Sequence, residues 1–129
     1  MRRRMKHEAP EGFVTLLREG MEKRKISLNQ LAERGRISPA YLSRILNRER
    51  GLPSDKTILR LAHVLDLEPA ERLLIEAGRI PDEFKSTLSR PQIPELLRAT
   101  GKLSETEMEQ LVKTVEAIGL QQHRNRKRT

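Results

Sequence analysis

The sequence predicts an all-α protein, and three observations support this fold class. Apolar residues recur at intervals of three and four positions in successive segments, which is the spacing of one face of an α-helix. Serine or proline stands where these segments begin, and glycine stands where several of them end, as expected at helix termini. No segment shows the alternation of apolar and polar residues that marks a half-buried strand.

The first predicted helix begins at Pro10 and ends in the charged run of residues 22–25, whose cations suit a helix C-terminus. Gly20 lies inside it and should cost about 1 kcal/mol relative to alanine. Before this helix, residues 1–9 are predicted to form a mobile, basic N-terminal arm. The apolar side of the helix comprises Phe13, Leu16, Leu17 and Met21.

A second helix is predicted over about residues 28–34. Ser27 and Gln30 have the spacing of a capping box, in which each side chain satisfies a backbone N–H of the other residue. Gly35 is expected to stop the helix and to permit a sharp turn. The side of this helix that faces the core is predicted to contain Leu31 and Ala32, and Ile37 follows in the turn.

A third helix is predicted over residues 39–47. Ser38 can cap it, and Pro39 then occupies the first helical position, where a missing N–H costs nothing. Two short helices joined by a tight turn make a helix-turn-helix unit. The buried face of the third helix is predicted from i, i+3, i+4 spacing to contain Leu42, Ile45 and Leu46.

The opposite face of the third helix carries Ala40, Arg44 and Asn47, with Ser43, Tyr41 and Arg48 on its flanks. These side chains suit a helix that enters the major groove of DNA. Arginine pairs bidentately with guanine, asparagine pairs with adenine, and an alanine methyl can meet a thymine methyl.

The run from Leu31 to Ile45 resembles the helix-turn-helix of the lambda-repressor-like, or Xre-type, bacterial and phage regulators. The similarity extends over roughly residues 12–78 and implies a five-helix DNA-binding domain, which we place at residues 10–78. Two positions depart from the family pattern. Leu28 stands where many members have a glutamine that touches a phosphate. Arg36 stands where many have glycine, and a left-handed conformation there would carry strain.

The remaining helices of this domain follow the same spacing. Ser54 is predicted to cap a fourth helix, and Pro69 to open a fifth that Gly78 closes. Residues 79–92 are expected to form a connector with a helical turn at residues 82–88. The side chains expected to pack are Ile58, Leu61, Ala62 and Leu65 in the fourth helix, Leu73, Leu74 and Ala77 in the fifth, and Ile80, Phe84 and Leu88 in the connector.

Residues 79–120 are predicted to be a small C-terminal helical region. Pro94 opens a short helix that contains Leu96 and Leu97 and ends at Gly101. Ser104 and Glu107 form a second capping box and introduce a longer helix. Its apolar stripe must pack on the main domain or on another chain, and the family resemblance favours dimerisation. The stripe comprises Met108, Leu111, Val112, Val115 and Ile118.

The charge distribution points to an acidic partner. The net charge of the 129 residues is +8, of which +4 lies in residues 1–7 and +4 in the basic tail at residues 121–129. Residues 36–60 carry +4 and residues 61–120 carry −4. A basic recognition region and a more acidic remainder are expected of a DNA-facing side and an outer side. For the two tails, simple solvation explains the charge equally well.

Composition excludes several classes of function. The absence of cysteine excludes a disulfide scaffold and a thiol nucleophile, and suits a cytoplasmic protein. No apolar run reaches membrane-spanning length. The three histidines are scattered, and no metal-ligand spacing, phosphate loop or catalytic constellation occurs, so we expect no enzyme and no cofactor. Three aromatic residues give no platform for stacking single-stranded bases, which disfavours RNA or single-stranded DNA.

The sequence therefore predicts a sequence-specific regulator of transcription that binds double-stranded DNA, as a dimeric repressor on a palindromic operator. A regulatory protein partner is also possible. The alternative is a protein-interaction module, such as an antitoxin or adaptor, which the acidic C-terminal helix would serve. The residues predicted to read base edges are Ala40, Ser43, Arg44 and Asn47. Those predicted to hold phosphates are Leu28 and Asn29 through backbone amides, with Tyr41, Arg48, Arg50 and Lys56.

Overall fold

The computed structural model describes residues 8–127, which contain eight α-helices and no strand. The all-α prediction is therefore confirmed. The helices are α1 (Glu11–Arg24), α2 (Leu28–Gly35), α3 (Pro39–Leu46), α4 (Asp55–Val64), α5 (Glu71–Glu76), α6 (Asp82–Leu88), α7 (Ile93–Thr100) and α8 (Glu105–Lys127). The chain divides into two compact units, Met1–Lys85 and Ser86–Thr129. In the part of the chain that is described, no helix is both long enough and apolar enough to cross a membrane.

Helices α1 to α5 surround the core of the first unit. Helix α2 packs on α3 and α4, α4 packs on α5, and α1 packs on α3 and α5. Ala9 and Val14 complete the core, although the sequence analysis does not predict them. The buried residues that it does predict are Phe13, Leu17, Leu31, Ala32, Leu42, Ile45, Leu46, Ile58, Leu61, Ala62, Leu65, Leu73, Leu74 and Ala77.

The predicted serine caps are confirmed by their hydrogen bonds, whereas α5 begins at Glu71, two residues after the predicted Pro69. The Ser27 hydroxyl accepts from the Gln30 N–H at 3.1 Å, and the Ser27 N–H donates to Gln30 Oε1 at 2.9 Å. The hydroxyls of Ser38 and Ser54 accept from the N–H three residues later, at 3.1 Å and 3.3 Å. Each contact satisfies a backbone donor that the helix itself leaves without a partner.

The end of α2 differs from the prediction. Gly35 does not stop the helix through its backbone freedom, because it is the last residue of α2. The left-handed position belongs to Arg36, with φ 59° and ψ 40°. Glycine at residue 35 leaves room for α4, because a Cβ there would lie 2.5 Å from the terminal Cδ2 of Leu61. The missing side chain thus permits α2 and α4 to approach closely.

Two other expectations are corrected. Ala9 is fully buried, so the predicted mobile arm is packed on the domain where it is described, and its residues 1–7 lie outside the described range. Ile80, Phe84 and Leu88 are exposed rather than packed, at 51%, 39% and 38%. Within residues 79–92, Pro81 is the buried residue. It lines a cleft with Leu59 of α4 and Leu74 of α5.

The second unit contains the two predicted C-terminal helices. Gly101 ends α7, and the Ser104–Glu107 capping box opens α8 with hydrogen bonds of 2.9 and 3.2 Å. The backbone N–H of Ser104, and secondly its side chain, hydrogen-bond the exposed Glu107 carboxyl and lower its pKa. Helix α8 continues to Lys127, so the predicted tail is helical over residues 121–127. Glutamine, arginine and lysine are good helix formers, and no proline interrupts them.

Candidate nucleic-acid interface

Helix α3 presents the predicted base-reading residues on its outer side. Ala40, Arg44 and Asn47 are exposed, and Ser43 is half-buried beside them. Asn47 follows the last residue of α3 as its C-cap. Within residues 8–127, no hydrogen bond or ion pair occupies the side chain of Arg44 or Asn47. The opposite side of α3 is buried, so this polar face is the one available to a ligand.

The orientation of α3 is fixed at both ends. The Ser38 hydroxyl caps its first turn, and the guanidinium of Arg18 in α1 donates to the Leu46 carbonyl at 3.0 Å. This second contact satisfies a carbonyl in the last turn of α3 and favourably places a cation at the helix C-terminus. Arg18 cannot be singled out from the sequence, because it lies 28 residues from Leu46 and no local pattern indicates their contact.

The turn between α2 and α3 is held from α4. Arg60 donates to the Gly35 carbonyl at 3.2 Å, next to the place where Leu61 packs against Gly35. The N–H of Ile37 donates to the Ala32 carbonyl at 3.0 Å and closes the end of α2. Helix α4 therefore fixes the angle at which α3 leaves α2, and with it the direction of the polar face of α3.

The first turn of α2 offers backbone donors. The capping box satisfies the Gln30 N–H, and the first helical bond runs from Leu31 N to Ser27 O. The N–H groups of Leu28 and Asn29 are left at the positive end of the helix dipole, where anions bind. The Leu28 side chain packs against the core, so only its backbone can serve in this way.

The other residues predicted to bind DNA phosphates differ in their surroundings. The Arg50 guanidinium lies 5.1 Å from the centroid of the ring of Tyr41 in α3, a cation–π contact that holds Arg50 near this helix. Lys56 is exposed in the first turn of α4. Arg48, in contrast, donates from Nε to the Ala9 carbonyl at 2.8 Å, with its NH2 group 3.5 Å from Glu8. Its guanidinium holds the chain before α1 against the domain.

Arginines in the first unit thus fall into two groups. One group holds the fold together through backbone carbonyls or carboxylates, and comprises Arg18, Arg24, Arg48, Arg60 and Arg79. The other group has no hydrogen bond or ion pair within the described residues and includes Arg36 and Arg44, which leaves their charge available to an anion. Unpaired cations beside an exposed polar helix face are the electrostatic arrangement that a nucleic acid requires.

Other sites in the described residues offer little chemistry. No group of three His, Cys, Asp or Glu side chains among residues 8–127 could hold a metal ion. A cleft between α1 and α5 is lined by Glu11, Glu19, Glu76 and Arg72, and it includes no residue of α3. A largely acidic lining does not suit the phosphate backbone.

The residues predicted to mediate dimerisation lie along α8. We call them the α8 apolar stripe: Met108, Leu111, Val112, Val115 and Ile118. Met108 and Leu111 are half-buried, whereas Val112, Val115 and Ile118 are exposed at 48%, 58% and 54%. Exposed apolar residues at helical spacing are typical of a surface that binds another chain.

Comparison with known proteins supports this interpretation of the first unit. A helix-turn-helix family model matches residues 17–72. The chain is 43% identical over 72 residues to the HTH-type transcriptional repressor RghR of Bacillus subtilis strain 168, covering 56% of this chain and 53% of that protein. It is 44% identical over 76 residues to the uncharacterized HTH-type transcriptional regulator RghRB of the same strain, covering 57% and 54%. The chain spans about half the length of these curated relatives.

Two solved structures are similar to part of this chain. The clp gene regulator ClgR from Corynebacterium glutamicum matches with a TM-score of 0.45 and 28% identity, over 70% of this chain and 87% of that one. A chain of the SinR protein/SinI protein complex matches with a TM-score of 0.47 and 22% identity, over 83% and 97%.

Proposed function

We propose that residues 17–72 form a helix-turn-helix domain of the lambda-repressor-like, or Xre, type, with which the protein regulates transcription by binding specific sequences of double-stranded DNA. In this proposal α3 enters the major groove. The observation that carries it is the exposed outer face of α3, on which Ala40, Arg44 and Asn47 stand together. Their chemistry matches thymine, guanine and adenine edges in the major groove.

Phosphate contacts would fix α3 in the groove. The N–H groups of Leu28 and Asn29 would hold one phosphate at the start of α2, and Arg50, Tyr41 and Lys56 would hold others. Such contacts set the register of a protein on DNA but carry no sequence information. Because Arg48 already contacts Ala9 and Glu8, its role in this proposal is to position the chain before α1.

A dimer would extend recognition to a palindromic operator. Two recognition helices must lie about 34 Å apart to read successive major grooves on one side of DNA. The α8 apolar stripe supports self-association, because three of its five residues are about half exposed or more. A bound dimer over a promoter would act as a repressor by excluding other proteins from that DNA.

The test is selection of binding sites from random double-stranded oligonucleotides with the purified full chain. We expect enrichment of a palindrome whose half-sites lie about one helical turn apart. Enrichment of no sequence, together with a single stoichiometric protein captured from a host lysate, would contradict the proposal and favour the adaptor or antitoxin alternative.

A further inference from the structure

Charges of opposite sign border the α8 apolar stripe at its two ends. Glu105 and Glu107 stand in the first turn of α8, and successive residues turn by about 100°, which puts one on each side of the stripe. Arg126 follows Met108 by about five complete turns and so falls on the same face as the stripe. The side chains of Glu105, Glu107 and Arg126 are all exposed to solvent.

The same separation of charge holds for the whole helix. Residues 105–116 contain four glutamates and one lysine, whereas residues 117–127 contain no acidic residue and three basic ones. This distribution suits the macrodipole of a lone helix, which acts over the first and last turn. A lone helix does not, however, account for the exposed valines and isoleucine between the two ends.

We propose that α8 pairs with α8 of a second copy of this chain in antiparallel orientation. The acidic end of each helix then lies beside the basic end of the other, so that attraction acts at both ends while the exposed part of each stripe, Val112 to Ile118, covers that of the other. A parallel pair would instead bring the acidic ends together and the basic ends together, and like charges across a helix pair destabilise it. The orientation rests on the dimer proposed above and specifies its geometry.

Distances between labels on the two copies test the orientation. The chain contains no cysteine, so Thr106→Cys and Lys113→Cys each provide a single attachment point for a spin label. Both residues are exposed and lie about two turns apart on the side of α8 away from the stripe. In an antiparallel pair the axial separation of two Thr106 labels exceeds that of two Lys113 labels by about 21 Å.

The outcomes distinguish the orientation from the dimer itself. A long distance from Thr106 and a short one from Lys113, measured by double electron–electron resonance on the full-length protein, would support the antiparallel pair. Equal distances from the two positions would overturn it and indicate a parallel dimer. The absence of any intermolecular distance, with a monomer in sedimentation, would refute the proposed dimer as well.

Charge reversal provides a second, independent test. Arg126→Glu should weaken self-association about two- to fivefold for each exposed pair that it disrupts. Adding Glu105→Lys to the same chain should restore it, since attraction returns with the signs exchanged. Lys113→Glu, away from the stripe, is the matched control and should change the dissociation constant little. In a parallel dimer Arg126→Glu would only replace one repulsive pair by another, so unchanged association would overturn the orientation.

Discussion

Single arginines in this protein perform two physically different tasks. Arg18, Arg48 and Arg60 donate to backbone carbonyls that are 25 to 39 residues away in sequence, and so tie the ends of helices together. Arg44 has no such contact within the described residues and stands on the exposed side of α3. A guanidinium that is already hydrogen-bonded must give up those contacts before it can bind DNA, whereas Arg44 need not.

The first prediction concerns base reading by Arg44. Arg44→Ala should cost about 1–3 kcal/mol of specific binding and relax the preference at one base pair of the selected site. Fluorescence anisotropy with the selected oligonucleotide and its single-base variants measures both effects. Arg72→Ala, an exposed residue of α5, removes the same charge outside α3 and should leave the preference intact. A sequence preference that survives Arg44→Ala unchanged would remove this residue from the interface.

The second prediction concerns the contact between Gly35 and Leu61. Gly35→Ala should destabilise the first unit by about 1–3 kcal/mol, because the added Cβ overlaps a fully buried leucine. Gly119→Ala in α8 is the matched control, since no atom of the described residues lies within 4 Å of its added Cβ. It should stabilise its helix by about 0.8–1.0 kcal/mol. Urea denaturation followed by circular dichroism measures the change in the free energy of unfolding for both variants. A Gly35→Ala protein at least as stable as wild type would show that α2 and α4 can separate freely.

At the scale of elements, helix ends are set by local side chains and helix positions by distant ones. Ser27, Ser38, Ser54 and Ser104 each accept a hydrogen bond from the N–H three residues later. These contacts form within one turn and need no partner from elsewhere. The angle between α2 and α3, on which the polar face of α3 depends, needs Arg60 and Leu61 of α4.

The third prediction concerns the start of α8. Hydrogen bonds from Ser104 lower the pKa of the Glu107 carboxyl below its ordinary value of 4.5. A group whose pKa is lowered in the folded state contributes stability above its unfolded pKa, and loses it as the pH falls through the folded pKa. The first turn of α8 should therefore fray in acid, below about pH 4.5. Nuclear magnetic resonance titration of the Glu107 side chain measures this directly.

Ser104→Ala is the matched variant for this titration. It removes the hydroxyl, which accepts a hydrogen bond from the Glu107 N–H at 3.2 Å. The pKa of Glu107 should move part of the way back toward its ordinary value, because the variant keeps the backbone N–H of residue 104 that donates to the carboxylate. An identical Glu107 titration in both proteins would show that the Ser104 hydroxyl does not stabilise the Glu107 carboxylate in solution.

At the scale of the whole molecule, the question is how the proposed DNA-binding domains of two copies of the chain would be joined. The first unit has its own core from α1 to α5, so it does not need α8 for its buried residues. The second unit leaves large apolar side chains of α7 and α8 exposed, among them Leu97 at 58% and Val115 at 58%. A separate folded domain and an exposed apolar helix are suited to binding and to assembly, respectively.

The fourth prediction concerns assembly. Leu111→Asp with Val115→Asp should give a monomer that keeps the fold of the first unit, because both residues lie in the second unit. Affinity for a single half-site should survive, whereas affinity for the palindromic site should collapse, since only a dimer fixes the spacing between two recognition helices. Sedimentation and anisotropy measure the two effects. A double variant that still dimerises would exclude this interface, and loss of the folded first unit would show that α8 contributes to its core.

The sequence alone determined where the helices begin and which face of each is apolar. Both follow from interactions among residues three or four apart, such as the capping serines and the buried Leu42, Ile45 and Leu46 of α3. The chemistry of the outer face of α3 follows from the same periodicity. The family resemblance is local in the same way, because the contiguous run from Leu31 to Ile45 carries it.

Only the tertiary structure decided which residues pack against, or hydrogen-bond to, residues distant in sequence. Gly35 is needed for the approach of Leu61 rather than for the turn, and Arg36 takes the left-handed conformation instead. Arg48 contacts Ala9, and Pro81 rather than Ile80 is buried. No local pattern encodes such contacts, because they depend on the relative positions of whole helices, and those positions result from packing the entire core at once.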